Sequence, residues 1–417
     1  MQILINITLI SIVLKDSLSI VSRIYPSLSF ITILPLIAIS ALSLFIIRKL
    51  PFLRLTIVDI LFFAYLILDA SLFTLINYST QGQNYDTYHL AISIFFSNFL
   101  PLIIYITARA YPWKYINSLK NINKYLTPLV IFICALQFYL SFTNKDILSA
   151  FLIKIYEQGA ISYPLQTHEN GFEIRLSGIF YSSLGLALYL LFAISESIED
   201  KPKKRTCIRA IKIISLAVGM WFSYNRAGLL ALVIFSLFWL LRPKKEGRRA
   251  PYQLFTPIFS TVLLSISILL PILSHQINFD NRDSSAALKS STFSSRLNTW
   301  SNLIDYHLPD LLFGNGYIQG LGSIEEQSLM VDNLFLSKSL QSGIISALSL
   351  YFFLFMLSRK AKFLQKTPPY LFYASLIMLS VNNIFSEINY IVLIFGAFVA
   401  NISINSKKII NINEKAS

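Results

Sequence analysis

Apolar runs of about 18–22 residues recur along almost the whole chain, and a bilayer core takes roughly 20 helical residues to cross. One such run fits a signal or a buried helix. About a dozen fit only a bundle of membrane helices, because hydrocarbon satisfies no backbone polar group that the chain leaves open. Window reading gives twelve candidate spans, near 3–22, 27–47, 56–77, 88–109, 126–143, 174–195, 209–223, 227–241, 253–274, 334–357, 369–385 and 389–405. The first is the weakest, since Lys15 and Asp16 interrupt it. Composition agrees: of 417 residues 55% are hydrophobic and 13% charged, about half the charged share of a soluble domain. The expected fold class is all-α, a polytopic integral membrane protein with about twelve transmembrane helices and one large external loop. No small-residue cleavage site follows the first run, so no removable signal peptide is expected.

The net charge of +14 raises the question of nucleic acid. Its distribution answers otherwise. Segments 48–55, 109–125, 196–212, 242–250, 358–366 and 406–417 hold most of the 35 Lys and Arg, and they alternate as one face of a twelve-span chain. That is the positive-inside pattern, which puts both termini in the cytoplasm and leaves no nucleic-acid groove. Three regions follow. Residues 1–274 carry the first nine windows, 275–333 form the large external loop, and 334–417 carry the last three windows and a cytoplasmic tail.

The loop 275–333 has seven acids against Arg282, Lys289 and Arg296. Its first part, NFDNRDSSAALKSSTFSS (278–295), is polar and without period. RLNTWSNLIDYHL (296–308) places Leu297, Trp300, Leu303, Ile304 and Leu308 at helical spacing. It reads as an amphipathic helix lying along the membrane surface. PDLLFGNGY (309–317) ends it with Pro309, and Gly314 and Gly316 then allow a tight turn.

Sorting by side leaves five external arginines: Arg23, Arg175, Arg226, Arg282 and Arg296. Arg175 opens the span RLSGIFYSSLGLALYLLFAI. Arg226 sits in FSYNRAGLLAL, the tight link between two spans, where Gly228 allows close helix packing. Guanidinium is a bidentate, always charged partner for phosphate oxygens. An interfacial Arg that merely reaches toward headgroups is the plain alternative.

Among external acids, Asp332 stands out because it immediately precedes a span, with Asn333 beside it. A carboxylate there is placed to accept a sugar hydroxyl proton, and the amide to hold a sugar oxygen. A helix cap explains the same pair equally well. Glu387, in NNIFSEINY (382–390), lies in the link of the last helical pair, and His168 lies in the external loop 144–173. No His has a second ligand at metal spacing, and Cys134 and Cys207 form no framework, so no metal and no cofactor are expected. Charges inside spans are few: Lys15, Asp16, Asp59 and Asp69.

Three stretches, FSYNRAGLLALVIF (222–235), RLNTWSNLIDYHLPDLLFGNGY (296–317) and VDNLFLSKSLQSGIISAL (331–348), carry a resemblance. The chain resembles the O-antigen polymerases (the Wzy family) and the related O-antigen ligases. The first stretch is similar to that family's Ser/Thr-x-x-Arg-Gly/Ala pattern opening a span. The second is similar to its Arg…Trp…Pro…Gly-x-Gly segment, and the third to its Asp/His-Asn…Gly pattern. The likeness covers 222–348, and earlier residues match in hydropathy alone. It implies a C-type membrane glycosyltransferase-like fold in the bacterial inner membrane. The implied substrate is an undecaprenyl-diphosphate-linked glycan drawn from among the membrane lipids. The implied enzyme is a metal-independent glycosyltransferase of lipopolysaccharide biosynthesis.

The expected roles follow. Asp332 and Arg226 are catalytic. Arg226, Arg175 and Arg296 bind the diphosphate. Asn333, Trp300, Tyr306 and Glu387 contact sugar, with Trp300 and Tyr306 stacking on pyranose faces. A separate chain-length regulator is an expected partner. The family's ligases carry His before the Asn, whereas this chain carries Asp332, which favours polymerase. A ligase, a lipid-linked glycan flippase and a mere membrane anchor stay open as alternatives.

Overall fold

Helix forms in every one of the twelve apolar windows. The structure, a computed structural model, describes residues 1–48, 55–81, 91, 94–144, 165–168, 171–174, 176–180, 182–199, 206–241, 250–274, 291–316, 331–360, 367–380, 382 and 387–405. In chain order the helices are α1 (Gln2–Val13), α2 (Lys15–Ile24), α3 (Leu34–Ile47), α4 (Ile57–Gln81), α5 (Leu100–Ala110), α6 (Pro112–Thr143), α7 (Ser183–Glu199) and α8 (Thr206–Phe222). Then come α9 (Arg226–Leu241), α10 (Ala250–Ser274), α11 (Ser291–Tyr306), α12 (Leu308–Phe313), α13 (Leu334–Lys360), α14 (Thr367–Ser375) and α15 (Tyr390–Asn405). Among the described residues four helices are long and apolar enough to cross a membrane: Phe30–Ile47, Ile57–Ser79, Pro112–Thr143 and Leu334–Lys360. The other apolar helices are shorter. Among the described residues the strands are those of one hairpin, β1 (Leu165–His168) paired antiparallel with β2 (Gly171–Ile174).

Large apolar side chains cover the outside of the bundle. Ile37, Leu44, Leu75, Phe132, Val233 and Ile258 all lie open to the surroundings. In water so continuous an apolar surface drives association, whereas in a bilayer it is the expected face. The protein is a helical membrane protein on these grounds.

At the centre α4 and α13 run antiparallel. Ser346 Oγ donates to Asp69 at 2.6 Å, and Phe353 stacks on Phe62 with ring centroids 4.6 Å apart. Equal sequence steps on the two helices therefore stay in register, which is how near-aligned helices interlock. Tyr105 and Phe395 close around the same rings. One end of the pair is fixed by charge. Arg109 grips Asp59 with two nitrogens at 2.9 and 2.7 Å, Tyr105 Oη donates to it at 2.6 Å, and the Thr56 amide donates at 2.6 Å. Asp59 thereby also boxes the start of α4.

Three departures from the sequence expectation have clear causes. The first window is two helices: the chain turns at Leu14 (φ −86°, ψ 3°), next to Lys15 and Asp16. Lys15 Nζ then sits 3.6 Å over the Phe96 ring. The basic stretch 109–125 is mostly helix and not loop. Pro112 starts α6, and Tyr115, Ser118, Leu119 and Ile122 bury one face of its first turns. Finally, α13 breaks at Gly343, with φ 82° and ψ 165°, a conformation essentially confined to glycine. The break frees the Leu340 carbonyl, which accepts the Asn315 amide at 2.8 Å. So the turn after α12 plugs the gap in α13.

Candidate functional site

Asp332 and Asn333 stand where α13 begins, and the structure gives them different work. Asn333 is fully buried and caps the helix: its Oδ1 accepts the Leu336 amide at 3.1 Å. Its Nδ2 donates to the Ser267 carbonyl at 2.9 Å and the Ser380 carbonyl at 2.8 Å. Ser267 lies four residues before Pro271, which has no amide proton to offer it. Asn333 fills that vacancy. This corrects the sugar-holding role: its amide is committed to the fold.

Asp332 remains near the surface. Its carboxylate accepts Arg296 Nε at 2.7 Å, with the side chains 24% and 34% exposed respectively. Burial pushes the Asp332 carboxyl above its ordinary value, and this outweighs the opposing pull of Arg296. Arg296 is therefore not a free diphosphate clamp. It uses one donor on Asp332, and a guanidinium has five.

Arg296 is positioned by α11, whose apolar face is Leu297, Trp300 and Leu303, all buried. That face turns inward onto the protein, with α11 packed against α10 and α12. This corrects the picture of an amphipathic helix resting its apolar side on the membrane surface. It also corrects Trp300, which has no exposed surface and no ring face to offer a sugar. Tyr306 does keep an open ring.

Arg226 is the first residue of α9 and is exposed. Asn225 caps the helix by accepting the Gly228 amide at 2.8 Å. Among the described residues no hydrogen bond or ion pair holds the guanidinium. A cation is disfavoured at a helix N-terminus, and an anion bound there meets both the guanidinium and the helix dipole. Arg175 lies outside the described residues. Its neighbour Leu176 donates its amide to the Phe222 carbonyl at 3.3 Å, beside the turn that leads to Arg226.

Packing contacts link the elements that carry these groups. Phe238, late in α9, lies against Tyr370 and Tyr373 of α14, and α9 also packs on residues 376–380 that follow α14. The two helices are thus antiparallel, and Arg226 lies toward Ser380, which Asn333 holds. A Cβ on Gly228 would come 2.9 Å from the Cβ of Ala187, and one on Gly185 would come 3.3 Å from Asn389 Nδ2. So Glu387, two residues before Asn389, belongs to the same corner as Arg226. Glu387 is half-buried and engaged with other groups.

Sequence reading counted Asp69 as an intramembrane acid and passed over Lys338. The structure pairs them, Nζ to Oδ2 at 3.0 Å, with both side chains buried. The signal was present, since a lysine inside an apolar window needs a partner. Among the described residues no group of three His, Cys, Asp or Glu stands ready to hold a metal ion. The chain has no significant match among protein-family models, curated proteins or solved structures.

Proposed function

We propose that this chain polymerises undecaprenyl-diphosphate-linked oligosaccharide repeat units at the periplasmic face of a bacterial inner membrane, as an O-antigen polymerase. In this reading the helices make about twelve spans and both termini face the cytoplasm, following the basic loops. The supporting observation is Arg226 at the start of α9, exposed and without a hydrogen bond or ion pair among the described residues, with packing that runs from α9 through Ser380 to Asn333 beside the Arg296–Asp332 pair.

The chemistry follows from the charges. A hydroxyl of one lipid-linked glycan attacks the anomeric carbon of the other. A carbon–oxygen bond forms, the bond to the phosphate oxygen breaks, and undecaprenyl diphosphate departs with the electron pair. Asp332 takes the hydroxyl proton. A raised carboxyl value brings this base nearer the working pH, which strengthens it. Arg226 meets the negative charge that grows on the leaving diphosphate. Arg296 keeps Asp332 in place and still has donors for a phosphate oxygen. Tyr306 presents an open ring to sugar.

The test is the surface glycan of a deletion strain. A polymerase deletion leaves lipid A–core capped with single repeat units. Uncapped core with accumulated lipid-linked polymer marks a ligase. Complementation with Arg226→Ala leaves the single-unit pattern, and Arg226→Lys restores only short chains, because an ammonium lacks the fork. Full restoration by Lys contradicts bidentate recognition.

One observation favours a second reading. A broken helix beside a buried ion pair is also how transporters build substrate sites. A flippase predicts total loss of external glycan in the deletion strain.

A further inference from the structure

We infer that α12 is inserted into the bilayer leaflet opposite the bundle's charged end, with Leu308, Leu312 and Phe313 against lipid acyl chains. The inference concerns a segment of the external loop and does not depend on the chemistry proposed above.

Two independent rulers set the depth. The charged end is marked by Asp59 with Arg109 on one side and by Arg359 and Lys360 on the other. The α4–α13 register pairs Phe62 with Phe353 and Asp69 with Ser346, so Arg359 lies just under one helical turn beyond Asp59. From Asp59 to Ile76 is 17 residues, or about 25 Å of helix at 1.5 Å per residue. From Arg359 back to Gly343 is 16 residues, or about 24 Å. The two marks meet at one point: a Cβ on Gly314 would come 2.7 Å from both Ile76 Cδ1 and the Gly343 amide nitrogen. A hydrocarbon core is about 30 Å thick. Measured from the level of Arg359, Gly314 therefore lies between the far boundary and about 6 Å inside it, and helix tilt carries it deeper.

Phe313 and Leu312 immediately precede that glycine, and their carbonyl oxygens pack at the Gly343 break. Phe313 is 76% exposed, and Leu308 and Leu312 are exposed too. At this depth their surroundings are acyl chains. Backbone in hydrocarbon must be satisfied by protein, and the two amides that leave α12 are. Gly314 N donates to Asp310 O at 2.8 Å and Asn315 N to Leu340 O at 2.8 Å. Tyr306, where α11 joins α12, is open and has the amphipathic ring that suits the headgroup level. The buried face of α11 excludes the competing arrangement in which Trp300 and its neighbours enter lipid.

The test uses nitroxide labels on the full chain in phosphatidylcholine–phosphatidylglycerol liposomes. Single cysteines replace Phe313, Tyr306 or Ile345 in a Cys207→Ser background; Cys134 is buried and stays. Ile345 is an exposed spanning-helix control and native Cys207 an exposed control at the first turn of α8. At Phe313 the oxygen collision rate is expected to exceed that of a water-soluble nickel chelate several-fold, as at Ile345, with Tyr306 intermediate. Chelate access at Phe313 equal to that at Cys207 overturns the inference. Spin–spin broadening at Phe313, which means a second copy covers it, overturns it too. Should Phe313→Cys fail to fold, Leu308→Cys gives the same readout.

Discussion

Asp332 is an acid held between two influences, burial raising its proton affinity and Arg296 lowering it. The sign matters. A carboxyl whose folded value is raised contributes most to stability when protonated, at low pH, and that contribution is lost as pH rises through the folded value. As the proposed base it works only when ionised, so the proposal predicts activity that rises with pH along a limb above the ordinary carboxylate range. Arg296→Gln removes the lowering influence and moves that limb to higher pH, as read from chain extension against pH in isolated membranes. An unmoved limb means that Arg296 does not act through Asp332. Asn333 has a different signature. Asn333→Ala bares two buried carbonyls, at about 1–3 kcal/mol each. A lower melting temperature in detergent is expected, with residual activity at permissive temperature. The sequence made Asp332 and Asn333 visible as a pair but not their division of labour. That depended on Pro271, 62 positions away, leaving a carbonyl for the amide to fill. Trp300 went the same way: helical spacing marked its face as apolar without saying whether lipid, sugar or protein would cover it.

Among the elements, α13 holds the most structure per residue. Its first half, ending at Gly343, carries Lys338; its second half carries Ser346; and Asp69 on α4 grips both. The pair is thus a staple across a broken helix. Lys338→Met leaves a buried carboxylate without its counter-charge and is expected to cost about 3–5 kcal/mol. The double variant Asp69→Leu with Lys338→Met recovers most of that loss in thermal melts. Under the polymerase reading it also retains the glycan ladder, whereas a transport role leaves it folded and inactive. Hydropathy located helix in each of the twelve windows, because the length of an apolar run is a local property. It did not locate the break. A single glycine in an apolar run is commonplace, and the need for φ 82° arises only when the turn at Gly314–Gly316 docks against it. The Leu14 turn was legible, since Lys15 and Asp16 announce it.

For the whole molecule, an apolar exterior surrounds a bundle with a charge-fixed end around Asp59 and Arg109, and packing contacts run from α9 through Ser380 to the start of α13. Basic loops gave the sequence its sidedness, and with it the expectation that Arg226, Asp332, Arg296 and Glu387 share one face. Their convergence was legible only as an expectation, because helix order in a bundle is set by packing such as Gly228 on Ala187. The central claim is that guanidinium groups stabilise a departing lipid diphosphate so that two carried glycans join without a nucleotide sugar. Its most direct measurement is the purified chain in liposomes holding only undecaprenyl-diphosphate-linked repeat units and a metal chelator. The account predicts a glycan ladder with one undecaprenyl diphosphate released per new linkage, lost in Arg226→Ala. No ladder from the active protein, or a ladder that needs added nucleotide sugar or metal, contradicts it.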